Sequence, residues 1–323
     1  MKNVINVFCI LFVFVCFTAK ASDENISLTQ DQVRQSLIET LNVLNEVYVF
    51  PEKAKVIESV ILERINQGDY DQIKSTKAFQ KVITTELREV STDGHLGILL
   101  VKNKEDEPTH VLTETEDEYK NNYAFQKVEI LKGNVGYLKF NKFYQDEEAL
   151  ETVKHAFGML KDTDAMIIDL RDNIGGSPEL VRHIASYFIE DKTLLWRYHT
   201  RGDENIYDDE SDVGIGPINF KSDYPLYVLI GPETASAAEV FSYTLKHLSK
   251  AVLVGERTMG IAHAVGAVKI NEYFIGRFSM GRPVNPITNS NWELVGVMPD
   301  IESNSKSSLK KAHALALKFL NNK

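Results

Sequence analysis

Short apolar runs that alternate with helically spaced stretches constrain this chain more than any other feature. Gly97–Val101, Val135–Phe140, Ala165–Leu170, Tyr227–Ile230 and Ala251–Gly255 read as strands. Several are separated by stretches with one apolar helical face. Ala237, Val240, Phe241, Thr244, Leu245 and Leu248 are one such face. Strand, helix and strand in succession imply βαβ units and a mixed, largely parallel sheet, hence an α/β fold.

Before that pattern begins the chain reads as helical. Thr29-x-x-Gln32 can cap a first helix, in which Val33, Leu37, Leu41 and Leu44 share a face. Phe50-Pro51 breaks it. A second helix is expected from Glu52 to about Asn66, with Gln67-Gly68-Asp69 as its stop, and a third carries Phe79, Ile83, Leu87 and Val90. A last helix is expected over about Ser308–Leu320. The acidic stretch Lys102–Tyr123 reads as a solvated loop. The expected organisation is a leader at residues 1–21, a small three-helix amino-terminal domain at 22–90 and an α/β domain at 91–323.

The leader reading rests on Lys2, the apolar run Val4–Phe17 and Thr18-Ala19-Lys20-Ala21, the three parts of a secretory signal peptide cleaved near Ala21. The expected location is therefore periplasmic or extracellular. Both cysteines, Cys9 and Cys16, fall inside this segment, so the exported chain would use no disulfide. The net charge is −10, and −12 without Lys2 and Lys20. That balance argues against nucleic acid and anionic membranes as partners. Neither a metal-spaced His/Cys cluster nor a phosphate-binding glycine motif stands out, and no cofactor or metal is expected.

Two junctions carry the chemistry. In Thr234-Ala235-Ser236-Ala237-Ala238-Glu239 a serine stands where a strand passes into a helix. Unpaired N–H groups and the helix dipole there favour a developing oxyanion. The same letters also spell an S-x-x-E capping box, in which Ser236 merely satisfies first-turn amides. In Asp169-Leu170-Arg171-Asp172-Asn173-Ile174-Gly175-Gly176-Ser177-Pro178, Ser177 suits an N-cap and Pro178 the first helical position, with Leu180 to Ile189 supplying an apolar face. The glycine pair lets the backbone aim N–H groups at a ligand, or simply makes a tight turn.

Together with Val254-Gly255-Glu256-Arg257-Thr258-x-Gly260 and Trp292-Glu293-x-x-Gly296-Val297-x-Pro299-Asp300, these motifs resemble the carboxy-terminal processing (tail-specific) serine peptidases. The likeness is to the branch containing the tricorn protease core and interphotoreceptor retinoid-binding protein. Tyr48-Val49-Phe50-Pro51-Glu52-Lys53 resembles the helical preface of that branch. The resemblance implies a ClpP/crotonase-like core and a serine peptidase acting on peptide or protein substrates. It implies Ser236 as nucleophile, with Gly176, Ala237 and Gly175 as oxyanion donors. The tail-specific branch places a lysine base where this chain has Ile261. The tricorn-like branch implies instead His95 as base and Glu293 as the acid beside it, with His263 a second-choice base. Asp93 and Glu239 read as a turn former and a capping residue. The stretch between Leu99 and Val135 is too short for a PDZ domain, since a domain needs ~50 residues. The alternative reading is a carrier of apolar small molecules with a vestigial site.

Overall fold

The computed structural model describes residues 25–101, 119–216, 220 and 223–322. The leader and most of the acidic stretch expected as a loop lie outside the described residues.

Three helices open the chain: α1 (Gln30–Val47), α2 (Pro51–Gln67) and α3 (Thr76–Ser91). The cap predicted for α1 is present, with Gln32 N–H donating to Thr29 Oγ1 and Thr29 N–H to Gln32 Oε1. Pro51 starts α2, where its missing N–H costs nothing, and Gly68 ends it in the left-handed region at φ 79°. Val33, Leu37, Leu41, Leu44, Ile57, Ile61, Phe79, Ile83 and Leu87 close into one apolar core. That core continues into Leu96, Ile98, Phe274 and Phe278.

The central sheet runs β11-β8-β7-β4-β3-β2. Its strands are β2 (Phe125–Leu131), β3 (Val135–Phe140), β4 (Ala165–Asp169), β7 (Leu226–Ile230), β8 (Val252–Gly255) and β11 (Ile301–Glu302). All neighbours are parallel except the β2/β3 pair. Tyr137, Ile167 and Tyr227 lie in register and face α7 (Ser308–Asn321), whose Ala312 and Ala316 are small enough for close approach. Leu138, Ile168 and Val228 face the opposite way, into the core beneath α4 (Glu147–Leu160), α5 (Pro178–Ala185) and α6 (Ala237–His247). Burial on both faces is why these strands read as unbroken apolar runs.

The second sheet is antiparallel. It joins β1 (Gly97–Leu100), β10 (Phe274–Val284), β5 (Leu194–Thr200) and β6 (Ile206–Glu210), with β9 (Ala264–Lys269) also on β10. Of these only β1 is expected from the sequence. The α1–α3 core packs on β1 and β10, so the helical preface is tied to strands from far along the chain. The apolar pattern after Ser177 runs to Ile189, but α5 stops at Ala185, and Phe188 and Ile189 are buried in the turn that follows.

Candidate active site

Ser236 sits between β7 and α6 with φ 56° and ψ −121°, a conformation that L-residues rarely adopt. Its N–H donates to Glu239 Oε2 at 2.9 Å. Its Oγ is buried and has no hydrogen-bond partner, so the hydroxyl does not serve as a helix cap. Glu239 holds the turn and leaves the alcohol unengaged.

The glycine loop presses directly on this turn. A Cβ on Gly175 would lie 2.7 Å from Ser236 Cβ and 3.0 Å from Ala237 N, and Gly175 has φ +100°. Only glycine fits there. Asn173 is fully buried and fixes both sides: its Oδ1 accepts from Gly175 N–H at 2.9 Å, and its backbone carbonyl accepts from Ala235 N–H at 3.0 Å. Gly175 N–H is thus already engaged by Asn173, while Gly175 Cα stands beside Ala237 N. Gly176 at φ +133° runs alongside Phe143, whose carbonyl oxygen a Cβ would overlap. Next to the loop, Asp169 is fully buried and accepts from Tyr137 Oη and from the Arg171 guanidinium. Burial would raise its carboxyl, but the Arg171 and Tyr137 hydrogen bonds outweigh burial and hold it below the usual range.

Glu239 is the second buried carboxylate. Oε1 accepts from Thr258 Oγ1 at 2.5 Å and Gly260 N–H at 2.7 Å, and Oε2 from Ser236 N–H and Ile261 N–H, each at 2.9 Å. Burial pushes this carboxyl up, and the hydrogen bonds only partly offset the rise.

His95, His263 and Glu293 converge on a third group, Asp93. His95 Nδ1 is 2.9 Å from Asp93 Oδ1, and 3.9 Å from Glu293 Oε1. His263 Nδ1 lies 3.4 Å from Asp93 Oδ2 and 3.7 Å from Glu293 Oε1. Asp93 is 1% exposed and also accepts from His95 N–H, Tyr48 Oη and Ser279 Oγ. Burial alone would raise Asp93, but interactions with His263 and then His95 hold it well below the ordinary carboxylate range. An ionised carboxylate only accepts, so His95 carries its proton on Nδ1. His95 Nε2 is then the acceptor nitrogen, and it is buried without a partner, like Ser236 Oγ.

One segment links the two halves of the site. Gly260 and Ile261 donate to Glu239, Ala262 N–H donates to Glu293 Oε2 at 2.7 Å, and His263 follows. Tyr48 and Phe50 reach the cluster from the helical preface, Phe50 packing edge-on against the His263 ring at 5.1 Å. Sequence reasoning misses Asp93 and Glu239 as site residues. The signal for Asp93 is its position two residues before the candidate base, where it meets both the backbone and the ring of His95.

Fold and site together define a mixed α/β class, with a strained serine between a strand and a helix joined through the Gly260–His263 segment to a cluster of two histidines and two carboxylates. The chain belongs to peptidase family S41: the model of that family matches residues 134–303. A second model, the N-terminal domain of Peptidase_S41 in eukaryotic IRBP, matches residues 19–131. Carboxyl-terminal-processing peptidase 2, chloroplastic, of Arabidopsis thaliana is 30% identical over 172 residues, which cover 51% of this chain and 31% of that protein. A putative peptidase from Parabacteroides merdae shares the fold with a TM-score of 0.62 at 20% identity, covering 88% of this chain and 96% of that one. The tricorn protease gives a TM-score of 0.57 at 13% identity, covering 88% and 37%. The chain spans about a third of the length of the curated relatives it matches.

Proposed function

We propose that this protein hydrolyses peptide bonds by acyl transfer through Ser236. The observation that carries the reading is a pair of buried, unpartnered atoms of complementary chemistry, the Ser236 hydroxyl and the His95 Nε2 lone pair. His95 takes the Ser236 proton as Ser236 attacks the substrate carbonyl, and the resulting imidazolium is stabilised by carboxylates on its Nδ1 side. Asp93 at 2.9 Å is the better placed to hold the tautomer, and Glu293 at 3.9 Å adds negative charge. The N–H groups of Gly176 and Ala237 receive the oxyanion. Protonated His95 then gives its proton to the leaving amine, and water attacks the acyl-enzyme by the same route in reverse. His263 faces the carboxylates through Nδ1 and assists electrostatically, with His95 as the base.

We read the leader at 1–21 as a signal for export. Among the described residues, no helix is long and apolar enough to cross a membrane. The carrier alternative draws no support from a cluster this polar.

A fluorophosphonate probe tests the reading. Wild-type protein labels, and Ser236→Ala and His95→Ala do not. Folded wild-type protein that stays unlabelled overturns it. Cleavage of a diverse peptide mixture by wild type, and not by Ser236→Ala, extends the test to peptide substrates.

A further inference from the structure

We infer that Asp93, His95, His263 and Glu293 form a binding site for a zinc-like divalent ion, and that filling it switches the peptidase off. The binding half stands on geometry alone, and the switching half rests on His95 being the base as proposed above.

Each of the four side chains offers one ligand atom, and all these atoms lie within 4.8 Å of one another. His95 Nδ1 is 2.9 Å from Asp93 Oδ1 and 3.9 Å from Glu293 Oε1, and His263 Nδ1 is 3.4 Å from Asp93 Oδ2 and 3.7 Å from Glu293 Oε1, so Asp93 turns one oxygen to each imidazole. Ligands about 2.0–2.2 Å from a tetrahedral zinc lie roughly 3.3–3.6 Å apart, so the cluster becomes a zinc cage by closing its widest separation by up to roughly 1 Å. Two imidazoles and two carboxylates suit zinc, whereas calcium and magnesium favour all-oxygen shells.

Three observations separate this cluster from an ordinary catalytic hydrogen-bond network. His263 Nδ1 is buried and points at both carboxylates from 3.4 and 3.7 Å without a close hydrogen bond to either, an atom aimed into the cluster and free to become a ligand. Two carboxylates, 1% and 14% exposed, stand together with no lysine or arginine among the four, and a dication neutralises them. Both carboxylates are also held by outer partners that fix ligand orientation: Tyr48 and Ser279 on Asp93, and Ala262 N–H on Glu293.

The consequence for His95 follows from proton placement. In the working tautomer Nδ1 bears the hydrogen given to Asp93, and Nε2 holds the lone pair. A metal ion needs the Nδ1 lone pair, so that proton leaves to solvent and Nε2 takes one up. A ring protonated at Nε2 cannot accept the Ser236 proton. The ion therefore inhibits without touching Ser236 or the oxyanion donors.

Zinc chloride titrated into the full chain carrying Ser236→Ala, followed by calorimetry and by competition with a chromophoric chelator, reads binding without any activity. One equivalent is expected to bind, magnesium is expected not to compete, and His263→Gln is expected to weaken binding at least ~10-fold. Cobalt(II) provides a second readout in unsubstituted protein, through the intense visible bands of a tetrahedral site. On wild type, zinc should slow fluorophosphonate labelling, and a chelator should restore it. Absence of stoichiometric zinc binding, or unchanged affinity in a folded His263→Gln protein, overturns the site. Zinc that binds yet leaves labelling unchanged overturns the switch. Wild type that binds zinc and never labels upholds the site and overturns the peptidase reading instead.

Discussion

Replacing Glu239 by glutamine asks whether one buried carboxylate holds the nucleophile in place. All four of its partners are donors, two on each oxygen. Thr258 Oγ1 accepts from Val297 N–H at 2.6 Å and donates to Glu239, so accepting from an amide instead would leave its own O–H without this partner. A glutamine amide keeps one accepting oxygen and turns an NH2 group toward the other two donors. Each buried donor left unsatisfied costs about 1–3 kcal/mol, so the gross loss is about 2–6 kcal/mol. Burial pushes the Glu239 carboxyl up, which means its ionised form is itself costly in the fold, and glutamine is relieved of that cost. The net loss is therefore expected at about 2–3 kcal/mol at neutral pH, and larger in acid, where the wild-type carboxyl takes up its proton more readily folded than unfolded and gains stability that glutamine does not. Urea unfolding followed by tryptophan fluorescence reads this directly, since Trp292 is buried and its Nε1 donates to Ile261 O within the clamped segment. Because Ser236 N–H is one of the four donors, the serine shifts as well. A displacement of ~1 Å is enough to slow fluorophosphonate labelling ~100-fold. Thr258→Ser keeps the hydroxyl and should behave nearly as wild type. A Glu239→Gln protein within ~0.5 kcal/mol of wild type and labelled at the same rate would refute the clamp.

Gly176→Ala forces a Cβ onto the Phe143 carbonyl at a φ of +133° and should cost at least ~3 kcal/mol, read as a lowered unfolding midpoint with loss of labelling; a wild-type midpoint would refute the close approach. Asp93→Asn should be destabilised most near neutral pH. Asp93 is held below its unfolded value, so its contribution is complete above about pH 4 and fades as the pH falls further. The stability gap between the two proteins should therefore narrow from pH 7 to pH 3, and a gap that widens in acid would contradict the assignment. Asn173→Ala leaves Gly175 N–H without its buried acceptor and should cost about 1–3 kcal/mol while slowing labelling; unchanged labelling would show that the loop holds its shape without it.

The parts of this fold that the sequence reveals are those whose causes are local. Thr29 and Gln32 cap each other across one turn, and Gly68 stops a helix because it alone enters the left-handed region easily. Strands β3, β4 and β7 announce themselves because both their faces are covered. The antiparallel sheet gives no such sign. Ile206–Glu210 is polar and exposed, and Phe274–Val284 carries two glycines and a proline where an alternating pattern is expected. β10 is defined by β1 and β5, which lie far off in the chain, and β6 only by the hairpin it makes with β5.

The site divides along the same line. Ser236 and the two glycines are legible because a strand-to-helix turn and a φ > 0 loop are local events. Asp93 and Glu239 also read locally, as turn former and cap, and each reading holds only in part. Glu239 does receive the Ser236 N–H, as a capping box requires, yet three of its four donors come from or beyond Thr258. Asp93 does bond the His95 backbone two residues on, yet Tyr48, Ser279 and His263 reach it from three distant segments. Both carboxylates serve first as local turn-makers and then as anchors for chain arriving from elsewhere. A buried carboxylate is costly unless its lone pairs are filled, so each one specifies where the other segments must dock. The strained serine is held because those segments have no cheaper arrangement, and a readable local motif thereby becomes a site only once the whole fold has closed around it.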